Sequence, residues 1–204
     1  MDHRTSSKLL LIPPADAGGT DNIMRKIIVQ MATSADGFIA RKDGAVDWLD
    51  RPRPKDNYGM AEFWKSIDTI LMGRKTYDMA MKFVKEGKAT PGMFRGIKHY
   101  VFSRKPRKQA FEGFEFVNES IKHFAGALRK QKGKNIFMLG GAGIIGSFLD
   151  QGEIDEFVIS VIPVFIGEGI PLIAPQRRTV PLKLLATKKF SDGVVKLHYI
   201  VVKK

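Results

Sequence analysis

Residues 140–146 read GGAGIIG and follow the apolar stretch 135–139 (NIFML). Residues 141–146 spell G-x-G-x-x-G, a spacing that lets unblocked backbone amides and the positive end of a following helix meet a phosphate. A Rossmann unit would also need an acid about 20 residues further on to accept from the ribose hydroxyls. That place reads Ile159-Ser160-Val161-Ile162-Pro163, and the run starts too late in the chain for two mononucleotide-binding halves. The glycines thus fit a phosphate cradle outside a Rossmann frame, or more plainly a tight turn with close helix–sheet packing.

Two other segments weigh on that choice. Gly73-Arg74-Lys75-Thr76 also follows an apolar run and opens a helical pattern, adding two cations and a hydroxyl to the same N-terminal geometry. A third apolar run ends in Phe102-Ser103-Arg104-Lys105. If the three strands are parallel, their polar ends fall on one edge of the sheet, where ligands of open α/β sheets bind. The implied ligand carries several phosphates, and cations without a ribose-reading acid favour NADPH over NADH.

Hydride chemistry also needs a proton source. The acids available are Asp36, Asp47, Asp56 and Glu62. Asp36-Gly37 is also a turn signal. Asp47 stands beside Trp48, and an aromatic wall next to a carboxylate suits a flat nitrogenous ring. Asp56 and Glu62 read as solvated helix-start residues. His99 reads as a packed strand residue, and His123 and His198 lack metal-ligand spacing, so no metal is expected. The segment 167–172 (GEGIPL) reads as a bend after a long strand.

These residues need a scaffold. Short apolar and alternating runs predict strands over 26–32, 69–73, 98–102, 135–139, 156–165, 183–190 and 194–202. Amphipathic patterns predict helices over 58–67, 75–82, 119–131 and 142–151, the third capped by Asn118 with Glu119 in its first turn. Ser191-Asp192-Gly193 signals a hairpin turn. Residues 82–96, punctuated by Gly87, Pro91, Gly92 and Gly96, read as a flexible connection. Strands alternate with helices and then follow one another, which predicts an α/β sheet, parallel at first and antiparallel at its C-terminal edge.

A chain of 204 residues suits one domain. Residues 24–204 are expected to form it, with 1–23 a disordered extension. There is no cysteine, hence no disulfide framework or thiol nucleophile. The apolar run at residues 9–12 stops at Pro13-Pro14, too short for a signal-peptide core or a membrane span, so a soluble cytoplasmic protein is expected. The net charge of +13 concentrates in residues 82–134, with 14 Lys or Arg against 4 Asp or Glu. That stretch could track a nucleic-acid backbone. Its aromatics are mostly Phe at core-like spacings and no nucleic-acid motif accompanies them, so a solvated face is the preferred reading and nucleic-acid binding the alternative.

The order MATSADGFIA, Asp47-Trp48, ILMGRKTYD, VFSR, IFMLGGAGIIGSFLDQGEIDEF and VIPVFIGEGIPLI resembles the dihydrofolate reductase-like superfamily. Within it, the similarity is to the reductase domain at the C-terminal end of riboflavin-biosynthesis deaminase-reductases, and it extends over residues 24–204. The resemblance implies a three-layer fold around a mostly parallel sheet of about eight strands, with NADPH across the strand ends. Gly73, Arg74, Lys75 and Thr76 would hold phosphates of the adenosine half. Ser103 and Arg104 would flank adenine and the 2′-phosphate, and Gly140, Gly141, Ala142, Gly143, Ile144 and Ile145 the pyrophosphate. Residues 34–40 resemble the loop that closes over the nicotinamide, with Trp48 near its far end.

Two positions depart from the family pattern. The first-helix carboxylate of dihydrofolate reductases has no clean match around Asp56-Asn57-Tyr58-Gly59. The substrate-binding Glu that riboflavin-pathway reductases carry before the glycine pair is Leu139 here. The implied activity is NADPH-dependent reduction of a small heterocyclic or carbonyl substrate, with Asp36 or Asp47 as catalytic acid and Trp48 and Leu139 on the substrate side. A homodimer through residues 158–165 is implied as well. A cofactor-binding sensor or scaffold without catalysis is the other alternative.

Overall fold

The computed structural model describes residues 24–87, 96–105, 111–175 and 179–203. The expected extension 1–23 and residues 88–95 of the expected connection lie outside them. Eight strands form the main sheet: β1 Ile27–Ser34, β3 Ile67–Gly73, β4 Lys98–Phe102, β5 Phe114–Val117, β6 Asn135–Gly140, β7 Glu156–Ile162, β9 Leu182–Lys189 and β10 Val195–Val201. Two short strands, β2 Phe38–Ala40 and β8 Ile170–Pro171, pair separately. The order across the main sheet is β5-β4-β3-β6-β1-β7-β10-β9. The pairs from β5 to β7 are parallel and the last two antiparallel.

Strand alternation places the helices. Ile27, Val29, Ile136, Met138 and Phe157 point to one face, where α3 Ile121–Arg129 and α4 Ala142–Asp150 bury Leu128, Ile145 and Phe148 against them. Ile70, Met72 and Phe137 point to the other face, where α1 Met60–Ser66 and α2 Arg74–Lys85 contribute Phe63 and Tyr77. A third cluster, Ile162, Phe190 and Val194 with Trp48, Leu49 and Tyr58, closes that face beside the hairpin at residues 191–193. This is the expected three-layer architecture.

Several local expectations need correction. α3 begins at Ile121 behind Ser120, so Asn118 is not its cap and Glu119 stands before the helix, bonded to His123 Nδ1 at 2.5 Å. β5 was not anticipated, being only four residues long inside the basic stretch. α2 runs three residues past its expected end. β7 stops at Ile162 because Pro163 has no amide to continue the ladder, and Val164 N donates back to Ile162 O at 2.8 Å. Within residues 158–165, the strand part is paired on both edges, by β1 and β10, so only its faces and the exposed Phe165 are open to a partner.

Candidate active site

Parallel pairing brings the three polar strand ends together. Gly73 is in register with Phe102, and Met72 with Gly140, so α2, the Ser103 turn and α4 all leave from one rim. The turns also touch. A Cβ placed on Gly141 would lie 3.4 Å from Thr76 Oγ1, and one on Gly73 would lie 3.4 Å from Ile144 Cβ. Gly140 has φ +105, which a side chain would strain, and its peptide to Gly141 is cis.

Both helices start on this rim without a side-chain cap: the N-caps are Gly73 for α2 and Gly141 for α4. First-turn amides of a helix have no partner within it, and an uncapped end presents them together with the positive end of the dipole. In α4 the amides of Ile144 and Ile145 return to Gly141 O at 3.1 and 3.2 Å, and those of Ala142 and Gly143, at the first two helical positions, have no acceptor within the helix. Gly143 is exposed, and a Cβ there would meet nothing within 4 Å. The Ala142 and Ile145 side chains are core, 8% and 0% exposed, so these two residues can serve a ligand only through their backbone.

The cations lie around the cradle. Lys75 and Arg104 are exposed. Arg74 is folded along its helix, donating from Nε to both Asp78 oxygens at 2.9 and 2.8 Å, with its guanidinium 5.7 Å from the Phe116 ring centre. A surface i,i+4 pair of this kind is worth about 0.3–0.5 kcal/mol, little enough for a phosphate to displace. Ser103 Oγ accepts from Lys105 N at 3.2 Å, shaping the turn that carries Arg104.

Residues 34–40 form the turn between β1 and β2 at the same edge, and a strap from β7 to β8 clamps it. Ala35 N donates to Val164 O at 2.8 Å, Leu172 N to Gly37 O at 3.3 Å, and β2 pairs with β8. The strap then reaches the cradle, where Ala174 N donates to Ala142 O at 3.1 Å. Asp36 is the pin of this clamp: its carboxylate accepts from Ser34 Oγ at 2.5 Å, Ile166 N at 3.2 Å and Gly167 N at 2.8 Å. The Ser34 hydroxyl, with the two amides, holds its pKa below the usual carboxylate value. Because the folded pKa is depressed, the clamp is fully present above the ordinary carboxylate range and lost as pH falls through the lower folded value. We expect the amide protection factors of residues 34–38, that is exchange rates corrected for their intrinsic pH dependence, to be unchanged from pH 8 to 5 and to fall only in more acid solution.

Asp47 opens a 3-10 turn, Asp47–Leu49, and is bidentate to Arg41 at 2.7 and 2.9 Å on the surface. The Arg41 guanidinium lowers its pKa. Neither expected acid is placed as a proton donor, since both are ionised and committed to structural bonds. Trp48 packs into the third cluster, and its Nε1–H is buried without an acceptor among the described residues. Leu139 lies on the α1 and α2 face, packed against the cluster that contains Phe137. Sequence reading missed the strap's tie to Ala142, because only strand order brings Ala174 there. Among the described residues no three His, Asp or Glu gather as a metal site, and no helix is long and apolar enough to cross a membrane.

Such a three-layer sheet, with a glycine-lined cradle at its parallel edge, defines the dihydrofolate reductase-like class. The chain belongs to the RibD C-terminal domain family, whose model matches residues 25–196. It is 37% identical over 177 residues to the uncharacterized protein YwjB of Bacillus subtilis (strain 168), covering 86% of this chain and 98% of that one. The uncharacterized protein YyaP of the same strain is 36% identical over 187 residues, covering 88% and 97%. A crystal structure from Shewanella sp. PV-4, provisionally assigned to riboflavin biosynthesis, superposes with TM-score 0.75 at 27% identity over 87% of this chain and 99% of that one. Dihydrofolate reductase from Enterococcus faecalis, complexed with NADP(H), superposes with TM-score 0.59 at 18% identity over 87% and 97%, a likeness of fold. The family and its fold make this a reductase-type domain.

Proposed function

We propose that the protein is an NADPH-dependent reductase of a small heterocyclic or carbonyl compound, working in the cytoplasm. The observation that carries this reading is the meeting of two uncapped helix N-termini, with Thr76 against Gly141, on a rim edged by Arg74, Lys75 and Arg104. The residues fit the cofactor. The amides of Ala142 and Gly143 and the Thr76 hydroxyl would hold its pyrophosphate, Arg74 and Lys75 the phosphates of the adenosine half, and Ser103 and Arg104 the adenine and 2′-phosphate.

The cofactor supplies a hydride when bound. The protein's part is to orient and to exclude water: the clamped residues 34–40 cover the reacting end, with Asp36 as a positioning residue. Trp48, packed in the cluster around Ile162, and Leu139 give the substrate side its apolar walls. With both expected acids committed, the proton comes from a single water admitted beside the substrate while bulk solvent is kept out. Homodimerisation is part of the proposal. Exposed Leu182, Leu184 and Leu185 on the edge strand β9 add a surface for it beside residues 158–165, and sedimentation would read the state.

Titration with NADPH and NADH tests the reading. NADPH should bind more tightly, and Arg74→Ala should weaken it about tenfold, the value of a charge-assisted hydrogen bond. Absence of NADPH binding, with salt-sensitive retention of RNA instead, would overturn it. Because Asp36 and Asp47 are both held in structural bonds, a cofactor-binding sensor is the second reading. NADPH binding without oxidation across pterins, quinones and pyrimidines, including 5-amino-6-(5-phosphoribosylamino)uracil, would select it.

A further inference from the structure

A cavity of about 450 Å³ opens on the α1 face, lined by Glu62 and Ser66 of α1, Val158, Lys188, Lys196 and His198, none of them on the rim. Its volume suits a small molecule. Lys196 stands directly opposite Lys188 in the antiparallel pair of β10 and β9. Like charges so placed repel, and burial adds the cost of a desolvated ammonium.

The ion pairs around the cavity leave that cost uncompensated. Glu156 is matched by Lys26 at 2.7 Å and His198 at 2.9 Å, and Asp56 by Lys188 at 3.1 Å. Lys196 is partly buried and has no carboxylate within ion-pair distance among the described residues. Its ammonium donates to a neutral carbonyl, Tyr58 O, and lies 5.7 Å from the Phe190 ring centre, while Lys188 lies 4.6 Å from the same ring. Asp56 and Glu62 reach it only through space, and burial together with Lys188 lowers its pKa.

We propose that this cavity binds the oxyanion of a small ligand, a phosphate or a carboxylate, between Lys196 and Lys188. The oxyanion supplies the missing counter-charge. The same two ammoniums hold Asp56 and Tyr58 O, in the connection between the Trp48 turn and α1. A bound anion therefore acts on a segment whose Tyr58 packs on the same buried cluster as Trp48. The site does not depend on the reductase reading, because none of its residues belongs to the rim.

Inorganic phosphate and succinate, titrated separately into ¹⁵N-labelled full chain, test it. Saturable shifts are expected at the amides of Tyr58, Gly59, Lys196 and His198 with at least one of the two, and which one acts assigns phosphoryl or carboxylate. Lys196→Met keeps the apolar stem over Phe190 and should weaken that response about tenfold. Lys188→Gln, at an exposed position, should weaken it in the same direction, and Lys196→Arg should retain most of it. Shifts confined to residues 74–76 and 141–143, or a Lys196→Met protein that titrates like wild type, would overturn the proposal. NADPH titration of the same samples reads the reductase proposal separately.

Discussion

Gly143→Asp is expected to leave the protein folded, about 1–3 °C more heat-stable, and about a hundredfold weaker for NADPH. Gly143 is in the first turn of α4, at helical φ, with open space where a side chain would begin. A carboxylate there gains the dipole interaction, about 0.3–1 kcal/mol, and accepts from the amides that the α4 N-terminus leaves uncapped. Those are the groups assigned to the pyrophosphate, so the substitution that steadies the helix also places a like charge in the cradle. Calorimetry and NADPH titration on one preparation would read both signs. A glycine serving only the turn predicts the stability gain with unchanged affinity, and that outcome would remove α4 from the cofactor site.

Gly169→Ala is expected to lower kcat/KM about fiftyfold with any acceptor the panel identifies, while changing NADPH affinity less than about threefold. A Cβ at this position would overlap the Ala40 carbonyl oxygen and approach Phe38 Cβ to 3.2 Å. The contact is with backbone, so β2 and β8 must part, at a cost of about 1–3 kcal/mol. Separation releases residues 34–40 from the strap, although the Asp36 bonds to Ile166 and Gly167 remain. Amide exchange in residues 37–40 should rise at least about tenfold, a readout that needs no substrate. If exchange rises and turnover does not fall, the clamp is scaffold and the loop has no part in covering the reacting end.

The parts of the site that were legible in sequence are those fixed by neighbours along the chain. ILMG before RKT, and NIFML before GGAG, each state a strand, a turn and a helix start within ten residues, and both starts fall where they were expected. Ser191-Asp192-Gly193 likewise gives its hairpin, with Gly193 at φ +88. Asn118 misled because a capping residue can be recognised by type while the turn it caps is set by tertiary packing. β5 escaped because four residues carry too little alternation to register.

The sequence by itself determined that glycines, cations and helix starts follow strand ends, since they are contiguous in it. Only the tertiary structure decided which charged groups are free to act. Asp36 is held by amides about 130 residues away, whereas Lys196, unremarkable in its strand, faces Lys188 with no carboxylate within ion-pair distance of its ammonium among the described residues. The reason is electrostatic: a charge takes its pKa and its partners from what burial and strand register bring within a few ångströms, and those neighbours are distant in the chain.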